Sequence, residues 1–269
     1  MPDRIKLPGI WIGIAILAAL FGLELVIGAA FYDFWGGFRA GDPAAIGVVT
    51  VLAYGIVFTV VLRVTGLTYP ELFHAANTSV LSVVILLSLP ISLVTIGANW
   101  WFVDLCNLIV PVHSVSQAEY DMMVQMIQGG VVSFISVGVV GPVLEEMLFR
   151  GVLLRGFLQH YDVLPAIFLS ATVFAIFHFT LSQLPVAFGI GCFLGWLYWR
   201  TRSLWPCILA HATYNLTVLV TYAHSSDTRV QSMDPGWSEG GLAIDALSFL
   251  VSAAGFVMLS KILRSESRS

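Results

Sequence analysis

Residues 141–157 read GPVLEEMLFRGVLLRGF. From Val143 to Leu154 this run is apolar apart from Glu145, Glu146 and Arg150. Each charged side chain at membrane depth costs roughly 2.5–3.5 kcal/mol on insertion scales, so charges kept there mark a functional candidate. The rest of the chain confirms the membrane setting. It is 58% hydrophobic and 10% charged, with a mean hydropathy of +0.90, whereas soluble domains carry about 25% charged residues. In lipid a helix satisfies all its own backbone hydrogen bonds, so the expected class is all-α and polytopic.

Eight apolar segments are expected as transmembrane helices, near 9–32, 44–64, 78–101, 129–158, 164–181, 184–200, 204–222 and 241–261. They form a single integral membrane domain over 1–269. The fourth exceeds a perpendicular crossing, which implies a tilt or an overhang. The linker 102–128 holds Asp104, Glu119 and Asp121 but no Lys or Arg, and Met122, Met123, Met126 and Ile127 suit the apolar side of a surface helix. The apolar run after Arg4 and Lys6 is too long for a signal-peptide core and reads as a retained first span.

With the N-terminus inside, ten of the twelve Lys and Arg lie on or near the cytoplasmic side, leaving Arg39 and Arg229 outside. That bias predicts cytoplasmic N- and C-termini. Trp11, Trp35, Trp100, Trp101, Trp199 and Trp205 fall near expected span ends and suit an interfacial belt. The bilayer is the first partner; no basic stripe invites nucleic acid. Cys106, Cys192 and Cys207 show no paired spacing and read as apolar residues without a disulfide.

On a helix Glu145 and Glu146 point about 100° apart, so they need not share a task. Glu146 precedes Arg150 by four, the better order for a helical ion pair, while the residue four after Glu145 is Phe149. Glu146 is therefore expected to be held ionised, and Glu145 to face a cavity as a general base. The blander alternative is that both acids merely tie helices together. Pro142 lacks an N–H and frees the carbonyl of Gly138, which then needs water or a neighbouring side chain.

Two further polar pairs share helical faces: Phe174 with His178, and His211 with Asn215. The Asn215 amide donates but does not titrate, which suits oxyanion stabilisation, and His211 is placed to donate to the same oxygen. At ~1.5 Å per residue, Glu145 and His178 lie about 20 Å from the cytoplasmic ends of their helices and His211 about 10 Å, so convergence needs overhang, tilt or a deep cavity. Glu24 in the first segment is either a structural hydrogen bond or a substrate contact. His74, His113, His160 and His224 read as solvated, Asp245 as opening the last helix, and Gly9 with Gly13 as a close-packing pair.

EEMLFR fits EExxxR, FAIFH fits FxxxH and HATYN fits HxxxN, in that order on successive membrane segments. In this the chain resembles the CPBP family of CAAX proteases and bacteriocin-processing enzymes, also called type II CAAX prenyl endopeptidases. The motif-bearing core spans 129–222. The resemblance implies an intramembrane glutamic endopeptidase of the prokaryotic plasma membrane, acting without a cofactor on a membrane-associated peptide or protein. By motif position Glu145 and His178 activate water, His211 and Asn215 hold the oxyanion, and Glu146, Arg150 and Phe174 support them.

Two other readings stay open. Glu145, His178 and His211 also make a legitimate three-ligand zinc set with a place left for water, although HExxH is absent. A non-catalytic immunity or scaffold protein would use the same polar cluster for binding.

Overall fold

The computed structural model describes residues 7–35, 42–76, 78–109, 121, 124–126, 128–181, 183–224 and 241–266. Within them the chain is an all-α polytopic membrane protein. Each of the eight apolar segments is helical: α1 Ile10–Trp35, α2 Pro43–Thr65, α4 Val80–Ile109, α5 Gly130–His160, α6 Val163–Phe177, α7 Leu184–Thr201, α8 Leu204–His224 and α9 Gly241–Glu266, with the short α3 Tyr69–Phe73 between α2 and α4. Six of these are long and apolar enough to cross a membrane; α6, at 15 residues, is shorter. Met122, Met123, Ile127, His113, Arg39 and Arg229 lie outside the described residues.

Local chemistry sets the ends. Asp42 caps α2 by accepting from Ala44 N–H at 2.8 Å, and Gly66, at φ 72°, closes it with an N–H to Leu62. Where α4 meets α9, small residues let the backbones touch. A Cβ on Gly97 would strike the Ser248 carbonyl, and one on Gly255 the Pro90 carbonyl. Ser252 donates to the Val94 carbonyl at 2.9 Å and receives Trp101 Nε1 at 3.2 Å. The α4 helix thus runs eight residues past its expected end, and Trp101 packs there against α9. Gly241 starts α9, so Asp245 lies beyond its first turn.

The remaining buried apolar side chains form one core through α1, α2 and α4–α9, filled by Tyr54, Phe58, Phe149, Phe157, Phe174 and Tyr198 among others. One end of the bundle is basic. There Arg155 donates to the Glu71 carbonyl, Arg200 to that of Leu263, and Ala75 N–H to that of Arg202. His74, expected in solvent, is instead tied in: its Nε2 donates to the Thr78 carbonyl at 2.6 Å and it bridges Ser203.

That bridge answers the depth question. Thr201, Ser203, Leu204 and Cys207 are all buried, and Ser203 Oγ donates to the Phe73 carbonyl. The α7–α8 turn is therefore packed against the end of α3, with Thr201 and Ser203 buried and Arg202 exposed. His211, only two turns into α8, reaches the level of residues much further along α5 and α6.

Candidate active site

The three motifs converge on the Phe174 ring. His178 packs on it at 4.7 Å and His211 at 5.7 Å between centroids, both edge-on, and the Arg150 guanidinium lies 4.5 Å from its centre. Phe149 closes the ring's surroundings at 5.0 Å. Gly191 of α7 allows this closeness, since a Cβ there would meet the Ala171 backbone at 3.0 Å and Phe174 at 3.4 Å.

Glu146 and Arg150 are both 0% exposed, and Arg150 Nη1 donates to Glu146 Oε1 at 2.7 Å. The same oxygen receives His211 Nδ1 at 2.8 Å, and Arg150 Nη2 donates to the Gly191 carbonyl at 3.2 Å. A buried carboxylate paired this way joins α5, α7 and α8 in one network.

Glu145 is 26% exposed. Its Oε2 stands 3.8 Å from His211 Nε2, too far for a hydrogen bond, and has no other partner. The adjacent acids thus occupy different surroundings, one locked and one partly open.

Hydrogen bonds fix the ring tautomers. His178 Nδ1 lies 2.9 Å from the Phe174 carbonyl, which only accepts, so Nδ1 carries the proton and the neutral ring's Nε2 is an acceptor. His211 Nδ1 likewise donates to Glu146, which turns its Nε2 toward Glu145. At His178 the α6 helix ends, and the next residue, Phe179, holds φ 54°, a strained value for a bulky side chain.

Two π-helical turns, Ser136–Val140 and Met147–Leu154, flank the glutamates in α5. Such wide turns concentrate at functional sites. In the first, Gly141 N–H reaches back five residues to Ser136. Pro142, next in line, has no N–H to give. The Asn215 amide supplies the substitute, donating from Nδ2 to the Val137 carbonyl at 2.9 Å. The freed carbonyl was expected to be that of Gly138; the π winding moves the substituted bond to Val137. One Asn215 N–H remains after this tie. Asn215→Ala should strand the Val137 carbonyl at a cost of about 1–3 kcal/mol. A thermal melt of the purified variant checks this, and an unchanged midpoint would remove the structural role.

Sequence reasoning missed two participants. Gly191 supplies a carbonyl, and nothing in the sequence marks it. Tyr54 of α2 is 2% exposed and within electrostatic reach of Glu24, Glu145 and Glu146. A phenol in an apolar segment was the available signal. No three His, Cys, Asp or Glu among the described residues form a group able to hold a metal ion.

Residues 127–217 match the family model described as type II CAAX prenyl endopeptidase Rce1-like. Over 98 residues the chain is 30% identical to the protein named "Putative membrane peptidase YdiL" of Bacillus subtilis (strain 168), covering 36% of this chain and 40% of that relative. The chain thus matches less than half the length of the curated relative. The segment 127–217 contains all three motifs, with Glu145, Glu146, Arg150, Phe174, His178, His211 and Asn215. Over residues 127–217 the chain is therefore similar to the Rce1-like type II CAAX prenyl endopeptidases.

Proposed function

We propose that the protein is an intramembrane peptidase that hydrolyses a peptide bond with a water activated by Glu145 and His178. The observation that carries this reading is the contrast between the two glutamates. Glu146 is fully buried and locked at Oε1 by Arg150 and His211, while Glu145 is 26% exposed and has no cation within hydrogen-bond distance. A general base needs a free, positioned carboxylate, and Glu145 is the one on offer.

The chemistry follows from the ring tautomers. Glu145, assisted by His178 Nε2, takes a proton as the water oxygen attacks the scissile carbonyl. The oxyanion of the tetrahedral intermediate is met by the remaining Asn215 N–H. His211, whose Nδ1 proton is committed to Glu146, donates to it from Nε2 after Glu145 has passed on the water's proton to that nitrogen. The C–N bond then breaks, the proton passes to the leaving amine, and a new carboxylate remains. Glu146 and Arg150 hold His211 in the orientation this requires.

Ligation of zinc by Glu145, His178 and His211 is the second reading. The Nε2 atoms of both histidines are compatible with it, but the three side chains are not gathered into a metal group. A non-catalytic immunity or scaffold role is the third, and would leave the strained, convergent geometry without a use. The basic end of the bundle, with Arg155, Arg200 and Arg202, supports a cytoplasmic location for that end and so for both termini. A prokaryotic plasma membrane fits the Bacillus relative.

The test is a comparison of membrane-protein termini in cells carrying the wild type or Glu145→Gln at equal abundance. New termini that depend on Glu145 are expected, and they name the substrate. Identical sets of termini would overturn the peptidase reading.

A further inference from the structure

Helix α1 lies outside the family-matched segment, yet it brings a carboxylate to the site. Gly13, Leu17, Leu20 and Glu24 fall on one face by helical spacing. Gly13 packs against Leu153 and Phe157, and Leu17 and Leu20 are buried in the core. The same face therefore turns Glu24 toward Thr50 of α2, with Glu145 within electrostatic reach. One turn back, Phe21 packs against Phe179 at 5.0 Å between centroids. Phe179 directly follows His178, so this aromatic pair borders the site. Both rings are open, Phe21 by 41% and Phe179 by 67%.

No Lys or Arg among the described residues pairs with Glu24 or Glu145. Ionisable groups inside a membrane pair with something or mark a substrate path. Here the fixed structure offers Glu24 a neutral hydroxyl, and the Phe21–Phe179 pair lies one turn back along α1. A carboxylate next to aromatic rings suits a cation on an aliphatic stem, because the rings attract the charge and cover the methylenes.

We propose that Glu24 is a specificity-determining residue that receives the cationic nitrogen of a lysine or arginine close to the bond to be cut, with Phe21 and Phe179 covering the side chain's stem. This rests on the peptidase reading of the same site. A free α-amino group offers the same charge without the stem, so the aromatic pair favours the side chain.

The experiment extends the comparison of termini to Glu24→Gln, Glu24→Asp and Glu24→Arg, with abundance and melting midpoint measured for each. Termini that depend on Glu145 are expected to have Lys or Arg within a few residues of the cut. Glu24→Gln should reduce those cuts roughly tenfold or more relative to any cuts with neutral neighbours, the size of a lost hydrogen bond to a charged group. Glu24→Asp should restore part of the preference, and Glu24→Arg should invert it toward acidic neighbours. Equal loss across all substrates, or no loss in Glu24→Gln, would show a structural residue and overturn the inference alone. Cuts confined to the first residues of free N-termini would assign the contact to an α-amino group and overturn the side-chain version. Absence of any Glu145-dependent termini would instead bring down the peptidase reading, and this inference with it.

Discussion

Glu145→Gln is expected to lower peptide cleavage at least ~100-fold while the protein keeps its abundance and melting midpoint. The substitution preserves size and removes the group that takes a proton, and general-base contributions typically begin near 10²-fold. Stability should not move because Glu145 is 26% exposed and its Oε2 makes no hydrogen bond that Gln would break. Cleavage per folded molecule, with a melt of the same preparation, reads both quantities.

Glu146→Gln has a different signature. It removes the charge that Arg150 and His211 both address at one oxygen, leaving a guanidinium with no counter-charge in a fully buried position. Breaking a buried pair from one side costs about 3–5 kcal/mol. Lower abundance and a lower melting midpoint are therefore expected together with lost activity. Arg150→Gln should behave alike, and lose the tie to the Gly191 carbonyl and the contact with Phe174 as well. Equal stability losses in Glu145→Gln and Glu146→Gln would refute the division between the two acids.

The pairing of Glu146 with Arg150 was legible in the sequence because it rests on helix geometry alone. Four residues from acid to base place Glu146 on Arg150 whatever the bundle does, and the 100° offset sends Glu145 elsewhere. Eight apolar segments were legible for the same reason: in lipid the backbone must satisfy itself locally. Contacts between helices were not legible. Nothing in HATYN says that His211 will find Glu146, or that Asn215 will mend the gap left by Pro142 through Val137. Those pairings depend on how α8 packs against α5, which spacing within HATYN does not encode. The π-helical turns have no periodic signature that short apolar runs would reveal. His74 was misplaced by the same gap: loop burial follows tertiary packing, which spacing does not encode.

The claim at the centre is hydrolysis driven by Glu145 without a metal. Its most direct measurement is the cleavage rate per folded molecule in proteoliposomes, on a peptide found through the terminus comparison, for chelator-treated wild type beside Glu145→Gln. The account predicts a wild-type rate undiminished by chelation and a variant at least ~100-fold slower. A wild-type rate lost on chelation and restored by zinc, or normal turnover in the variant, would contradict it.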